Sequence, residues 1–309
     1  MALDKDYLNY PWRQYGNDHD RFPWSMIHDR PSVKWPDNKS LAVWINTSVQ
    51  FFPLNQKGVP FKVPFGMNMP YPDLRHYSLR DYGNRVGIFR FLDAFDRFSI
   101  PATFAVSAQL SADNPYLIDR LSDQPGEIIC HGWNMDHLHY GGQSIEEERE
   151  IVKRSVDTLR EKSRQPVRGW LSPARNQSHN TPDLIAAEGI EYCCDWVNDD
   201  LPYAFNTDSG QITMLPLQTE IEDSFVIGSN LHSEDSWVTQ VIDAIDYLIE
   251  DAKANQSGRM LGLSLHPWMT GQPHRIGAVE QVLKYVSEHN DIWLAKAGDI
   301  VDHSPFEKG

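Results

Sequence analysis

From Ser40 to the C-terminus, short apolar runs rich in β-branched residues alternate with longer amphipathic stretches. A chain with that rhythm feeds strands into crossover helices and so builds a mostly parallel sheet covered on both faces. Strands are expected at residues 41–47, 102–106, 127–130, 167–171, 192–194, 212–215, 260–265 and 292–295. Continuous apolar runs are what doubly covered strands require. Ser144 with Glu147 three residues on forms a capping box, and Ile145, Ile151, Val152, Val156 and Leu159 then recur at helical spacing. A second helix begins at Asn180-Thr181-Pro182 and stops at Gly189, and others fall near 86–98, 237–254 and 279–289. His131, Arg175, Asp195 and His266 all follow predicted strand ends. In a closed β/α barrel those ends converge on one mouth, whereas in an open sheet they spread along an edge. The reading is therefore an α/β fold, a closed barrel.

Residues 1–39 are rich in Trp, Tyr, Asp and Pro without a period, which predicts an arm lying on the barrel or on a neighbouring subunit. Residues 40–309 then form a single barrel domain. Ten Trp, twelve Tyr and thirteen Phe supply ample buriable area, so the chain is not disordered. A net charge of -15, with no basic cluster, argues against nucleic acid. No apolar run approaches the roughly 20 residues that cross a bilayer, and the N-terminus does not resemble a signal peptide, so no membrane is expected and the location is cytoplasmic. Cys130 stands alone and Cys193 and Cys194 are adjacent, which offers neither a disulfide framework nor a CxxC pair.

The segment 130–139 holds His131, His137, His139 and Asp136 within ten residues, a pattern that serves a metal or a proton-transfer site, or the packing of an aromatic loop. His266 closes an apolar strand before Pro267-Trp268 and a Gly/Pro-rich loop that resembles a lid. Asp195 places a carboxylate among apolar neighbours, suited to orienting a histidine. Arg175 is either an anion holder or a surface cation. There is no GxxxxGK[ST], GxGxxG, GxSxG or HExxH motif, so phosphate cradling and serine-hydrolase chemistry have no foothold.

The run of Asp81-Tyr82-Gly83-Asn84-Arg85-Val86-Gly87, Pro101-Ala102-Thr103-Phe104, Cys130-His131-Gly132-Trp133, Gly169-Trp170-Leu171-Ser172-Pro173, Asn180-Thr181, Asp195 with Asn198-Asp199-Asp200, and Ser264-Leu265-His266-Pro267 resembles the polysaccharide deacetylase (NodB-homology) superfamily. Within it the likeness is to the branch of PuuE-type allantoinases and related cyclic-amide hydrolases. The resemblance implies a distorted (β/α)7 TIM-like barrel, hydrolysis of a non-peptide C–N bond, and a homo-oligomer, dimer or tetramer. Metal-dependent members carry an Asp after the first strand and two His four residues apart. Here Gln50 aligns with the carboxylate and Met135 with the second His. An amide and a thioether are poor ligands for a hard divalent ion, so no cofactor is expected. The alternative is one zinc ion on His131, His137 and His139. The expected reaction is ring opening of a small cyclic imide or ureide, with His131, Asp195, His266 and Arg175 as the catalytic group: His266 the acid, Asp195 orienting it, His131 activating water or donating to the oxyanion, Arg175 offsetting charge. Gln50, Trp133, Asn134, Trp196 and Trp268 are expected to bind the substrate. The competing expectations are a metal-dependent deacetylase of an N-acetylated sugar or peptidoglycan and an inactive ligand-binding barrel.

Overall fold

The computed structural model describes residues 19–56 and 73–304. Its sheet contains β1 (Leu41–Val49), β2 (Thr103–Val106), β3 (Glu127–Cys130), β4 (Gly169–Trp170), β5 (Tyr192–Cys193), β6 (Tyr203–Thr207), β7 (Gly210–Met214), β8 (Arg259–Leu265) and β9 (Ile292–Leu294). The order is β6-β7-β5-β4-β3-β2-β1-β8, with β9 beside β1. All pairs are parallel except the β6–β7 hairpin. The sheet curls, and its two ends meet where Gln218, just past β7, bridges to Leu263 of β8. Gln218 N donates to Gly262 O at 3.3 Å, and Gly262 N donates to Gln218 Oε1 at 2.8 Å. β9 pairs only with the first three residues of β1. The cylinder is thus built of β1 to β5, β7 and β8, the distorted seven-stranded barrel that the sequence implies. β6 is an addition: the turn-forming run Asn206-Thr207-Asp208-Ser209-Gly210 folds it back on β7.

Around the sheet lie α1 (Leu74–Tyr82), α2 (Ile88–Phe98), α3 (Ala108–Asp113), α4 (Pro115–Ser122), α5 (Ile145–Ser163), α6 (Thr181–Ala187), α7 (Glu234–Asn255), α8 (Ile276–Glu288) and α9 (Ala297–Asp302). α5 begins as its capping box dictates, with the Ser144 hydroxyl accepting from Glu147 N. Its buried stripe of Val152, Val156 and Leu159 faces the core. A π-turn at Gly83–Gly87 joins α1 to α2, and a second at Ser224–Ser229 precedes α7. Such turns displace side chains from helical register and concentrate at functional sites. Residues 19–39 lie against the barrel: Val33 and Trp35 are buried, Trp35 Nε1 donates to Arg259 O at 2.8 Å, and Arg21 pairs with Asp183 at 2.7 Å. Residues 1–18 of the arm, and residues 57–72, lie outside the described residues.

Candidate active site

A cavity of about 240 Å³ opens at the C-terminal ends of the strands. Ser48 and Gln50 reach it from β1, His131 from the end of β3, Leu171 and Arg175 from beyond β4, and Ser264, His266 and Trp268 from β8 and its following turn. His131, Arg175 and His266 therefore meet at one mouth.

His131 sits at a sharp exit from β3. Gly132 has φ of +61°, and a Cβ there would lie 2.5 Å from the Pro173 ring, so only glycine lets the two loops approach. His131 Nδ1 lies 2.7 Å from Leu171 O. A carbonyl oxygen only accepts, so Nδ1 carries the proton and Nε2 of the neutral ring is an acceptor. Gln50 Nε2 donates to that Nε2 at 3.3 Å, and Gln50 Oε1 accepts from Trp268 Nε1 at 3.3 Å. Burial pushes His131 down to about 4, so the ring is neutral at physiological pH.

His266 is held differently. Its Nδ1–H donates to Asp223 Oδ1 at 2.7 Å, its backbone N–H donates to Asp223 Oδ2 at 2.9 Å, and the Thr270 hydroxyl donates to the same oxygen at 2.5 Å. Burial opposes charge on His266, but the fully buried Asp223 carboxylate outweighs it and raises the imidazole above its ordinary range. Nε2 is left for the cavity.

Two cations complete the wall. Arg175, in the left-handed region at φ of 54°, pairs with Glu222 at 2.8 Å and donates to Leu217 O at 3.1 Å and to the Thr219 hydroxyl. Arg80 projects from α1 and is buried, with its guanidinium 3.8 Å from the centre of the Trp268 ring and 5.5 Å from that of Phe52. Burial lowers Arg80 to about 9, which still leaves it charged at neutral pH. The Trp268 turn depends on Gly83, because a Cβ there would lie 2.6 Å from Trp268 N. Gly83→Ala is therefore expected to cost about 1–3 kcal/mol by overpacking and to weaken substrate affinity as Trp268 and Arg80 shift. Thermal denaturation and KM check this together; an unchanged KM would detach the turn from the site.

Other expected site residues lie elsewhere. Asp195 does not orient His266. It accepts from Ser172 N at 2.7 Å and from Gln177, and thereby fixes the turn that carries Arg175. Trp133 lies under the Arg154 guanidinium at 3.6 Å, and Trp196 packs on Phe22 and Phe205; neither lines the cavity. Asn134 organises its own loop, accepting from Asp136 N and bonding to His137 Nδ1. His139 is buried against Glu148, at 3.1 Å from its carboxylate. Of the expected ring-binding residues, Gln50 and Trp268 reach the cavity. Glu222 and Arg80 line it, and Asp223 stands behind His266, without having been anticipated.

The donor set does not fit a divalent ion. Gln50 and Met135 offer the cavity an amide and a thioether, poor ligands for a hard divalent ion, and Glu222, the carboxylate lining the cavity, is paired with Arg175. Of the zinc alternative, His137 and His139 are engaged by Asn134 and Glu148. Among the described residues no three His, Cys, Asp or Glu side chains converge as a metal site.

The barrel agrees with comparison to known proteins. Residues 77–193 match the polysaccharide deacetylase family. A putative polysaccharide deacetylase of Schizosaccharomyces pombe is 25% identical over 251 residues, covering 74% of this chain and 77% of that protein. The crystal structure of Puue allantoinase superposes with a TM-score of 0.80 at 25% identity, covering 91% of this chain and 97% of its own. A probable polysaccharide deacetylase from Pseudomonas aeruginosa PAO1 also superposes at 0.80 and 25%, covering 93% and 100%.

Proposed function

We propose that this chain opens the ring of a small cyclic imide or ureide by hydrolysing a C–N bond, with no metal ion taking part. The observation that carries this reading is the buried His266–Asp223 pair facing a cavity of about 240 Å³ whose donor set does not fit a metal. The space suits a single ring better than a polymer strand. The likeness to Puue allantoinase, by its name an enzyme acting on allantoin, points the same way.

Asp223 holds His266 with Nε2 free, and a raised affinity for protons makes this nitrogen the better base of the two histidines. His266 takes one proton from water as the oxygen bonds to a ring carbonyl carbon. Negative charge on the former carbonyl oxygen is offset by Arg80 and Arg175. The C–N bond then breaks and His266 returns its proton to the departing nitrogen. An imide nitrogen is a better leaving group than an amide nitrogen, which suits a site without a Lewis acid. His131 is the acceptor in this scheme: its fixed tautomer cannot donate to an oxyanion, so its Nε2 exchanges the Gln50 amide for an N–H of the ring or for the water. Trp268, with Arg80 behind it, offers a flat wall to the ring.

The test is a panel of succinimide, glutarimide, hydantoin and allantoin, followed by loss of ring absorbance, before and after chelator treatment. Opening of at least one ring with full activity in chelator is expected. Activity that is lost to chelator and restored by zinc, or deacetylation of N-acetylglucosamine oligomers in place of ring opening, would replace this reading with that of a metal-dependent deacetylase. Ligand-induced stabilisation without turnover would point to an inactive barrel.

A further inference from the structure

The floor of the cavity holds a feature that the proposed reaction does not use. Asn46, fully buried on β1, donates through Nδ2 to Ser48 Oγ at 3.1 Å and to Ser264 Oγ at 3.0 Å. Both serines line the cavity, and their residues are only 2% and 1% exposed. The parallel register brings them together: Asn46 lies opposite Ser264 on β8, and Ser48 stands two residues on, on the same face of β1. The Asn46 amide turns its Nδ2 to both serine oxygens, and its Oδ1 is buried without a partner among the described residues. Each serine oxygen therefore accepts from Asn46, and its own hydrogen must go elsewhere. Among the described residues neither hydroxyl has a protein acceptor. Two buried O–H donors are thus aimed at one small space.

We infer that Ser48 and Ser264 bind a second carbonyl oxygen of the substrate, so that the ring is a dicarbonyl, an imide or ureide of the N-flanked type, and not a simple lactam. This rests on the proposed ring-opening reading and deepens it. Paired hydroxyls held by Asn46 meet the two lone pairs of one carbonyl oxygen, His131 Nε2 accepts the ring N–H in place of the Gln50 amide, and the cationic wall receives the carbonyl under attack. A ring with one carbonyl leaves the serine pair unsatisfied, and a site with unmet buried donors discriminates strongly.

The experiment compares Ser48→Ala and Ser264→Ala, alone and combined, with the unmodified chain. Each lone substitution is expected to lower kcat/KM for succinimide about tenfold, beside a modest fall in melting temperature because one buried Asn46 N–H loses its acceptor, while 2-pyrrolidinone, which has one carbonyl, inhibits all forms equally weakly. Unchanged succinimide turnover, or loss of 2-pyrrolidinone inhibition in step with it, overturns the inference and leaves the ring-opening reading standing. Should the unmodified chain open no ring, that reading falls, and succinimide-induced thermal stabilisation decides the inference separately: a shift present in the unmodified chain and lost in the double variant supports it. An equal shift in both, or none in either, overturns it.

Discussion

Asp223→Asn is expected to lower kcat for ring opening by about 10²–10⁴-fold while leaving the fold intact. Asp223 accepts three hydrogen bonds, from His266 Nδ1, His266 N and the Thr270 hydroxyl, and it is fully buried. An asparagine keeps the shape but presents either a neutral oxygen or an N–H to Nδ1. With the N–H, the imidazole must place its proton on Nε2, and the base toward the cavity is lost. With the oxygen, the tautomer survives but the stabilisation of the imidazolium does not. The pH profile separates this from simple misfolding. His266 works as a base when deprotonated, so activity rises with pH through its pKa, which Asp223 holds above the ordinary value near 6.5. In the variant the acidic limb must move to lower pH. Stability follows the same linkage with its own sign: a raised histidine pKa stabilises the fold below the unfolded pKa, and that contribution is lost as pH rises through the folded one. NMR titration of the His266 ring reads the shift without depending on turnover. A pKa unmoved by the substitution would remove the pair from the mechanism.

Glu148→Ala is expected to destabilise the protein by about 3–5 kcal/mol, a melting-temperature drop on the order of 10 °C. Glu148 is a fully buried carboxylate in the first turn of α5. It accepts from the Ser178 hydroxyl at 2.6 Å and the Thr181 hydroxyl at 2.5 Å, and bonds to His139 Nδ1 at 3.1 Å. Alanine would leave three buried donors facing a void, and unmet buried donors cost more than the bonds themselves contribute. The effect should also reach the active site. His139 Nε2 is 3.9 Å from where a Cβ on Gly132 would stand, so the loop that aims His131 leans on this cluster. Glu148→Gln, which keeps one acceptor oxygen, should recover a large part of the loss. Calorimetry on the two variants checks the pair, and an alanine variant as stable as the glutamine one would show that the hydrogen bonds are not what holds α5 to α6.

The barrel was legible because its signals are local. The Ser144 side chain caps the start of α5, and continuous apolar runs mark β1 and β8, where covering on both faces demands them. His131 and His266 were legible for a topological reason, since a polar residue at the end of a buried strand has only the barrel mouth to occupy. The carboxylate was not. Asp195 follows a strand and so seemed the partner for His266, yet the space there is taken by the Ser172 backbone and Gln177. The true partner, Asp223, lies in an irregular stretch between β7 and α7, immediately before a π-turn, where no periodicity points a side chain inward. Arg80 escaped notice because it enters from a helix and not a strand end. Trp133 and Trp196 show the opposite error: an aromatic near a reactive residue in sequence was taken for a neighbour in space, and packing on Arg154 and on Phe22 claimed them instead.

The seam between the end of β7 and β8 carries a consequence for motion. From β3 through β2 and β1 to β8 the wall of the cylinder is laced by runs of backbone pairs, but here one bridge and one glutamine side chain span the joint. Amide deuteration in the folded state should therefore enter at Gly262 and Gln218 sooner than at β1 or β2, and any breathing of the wall that admits solvent to the Asn46 floor would start from this stave.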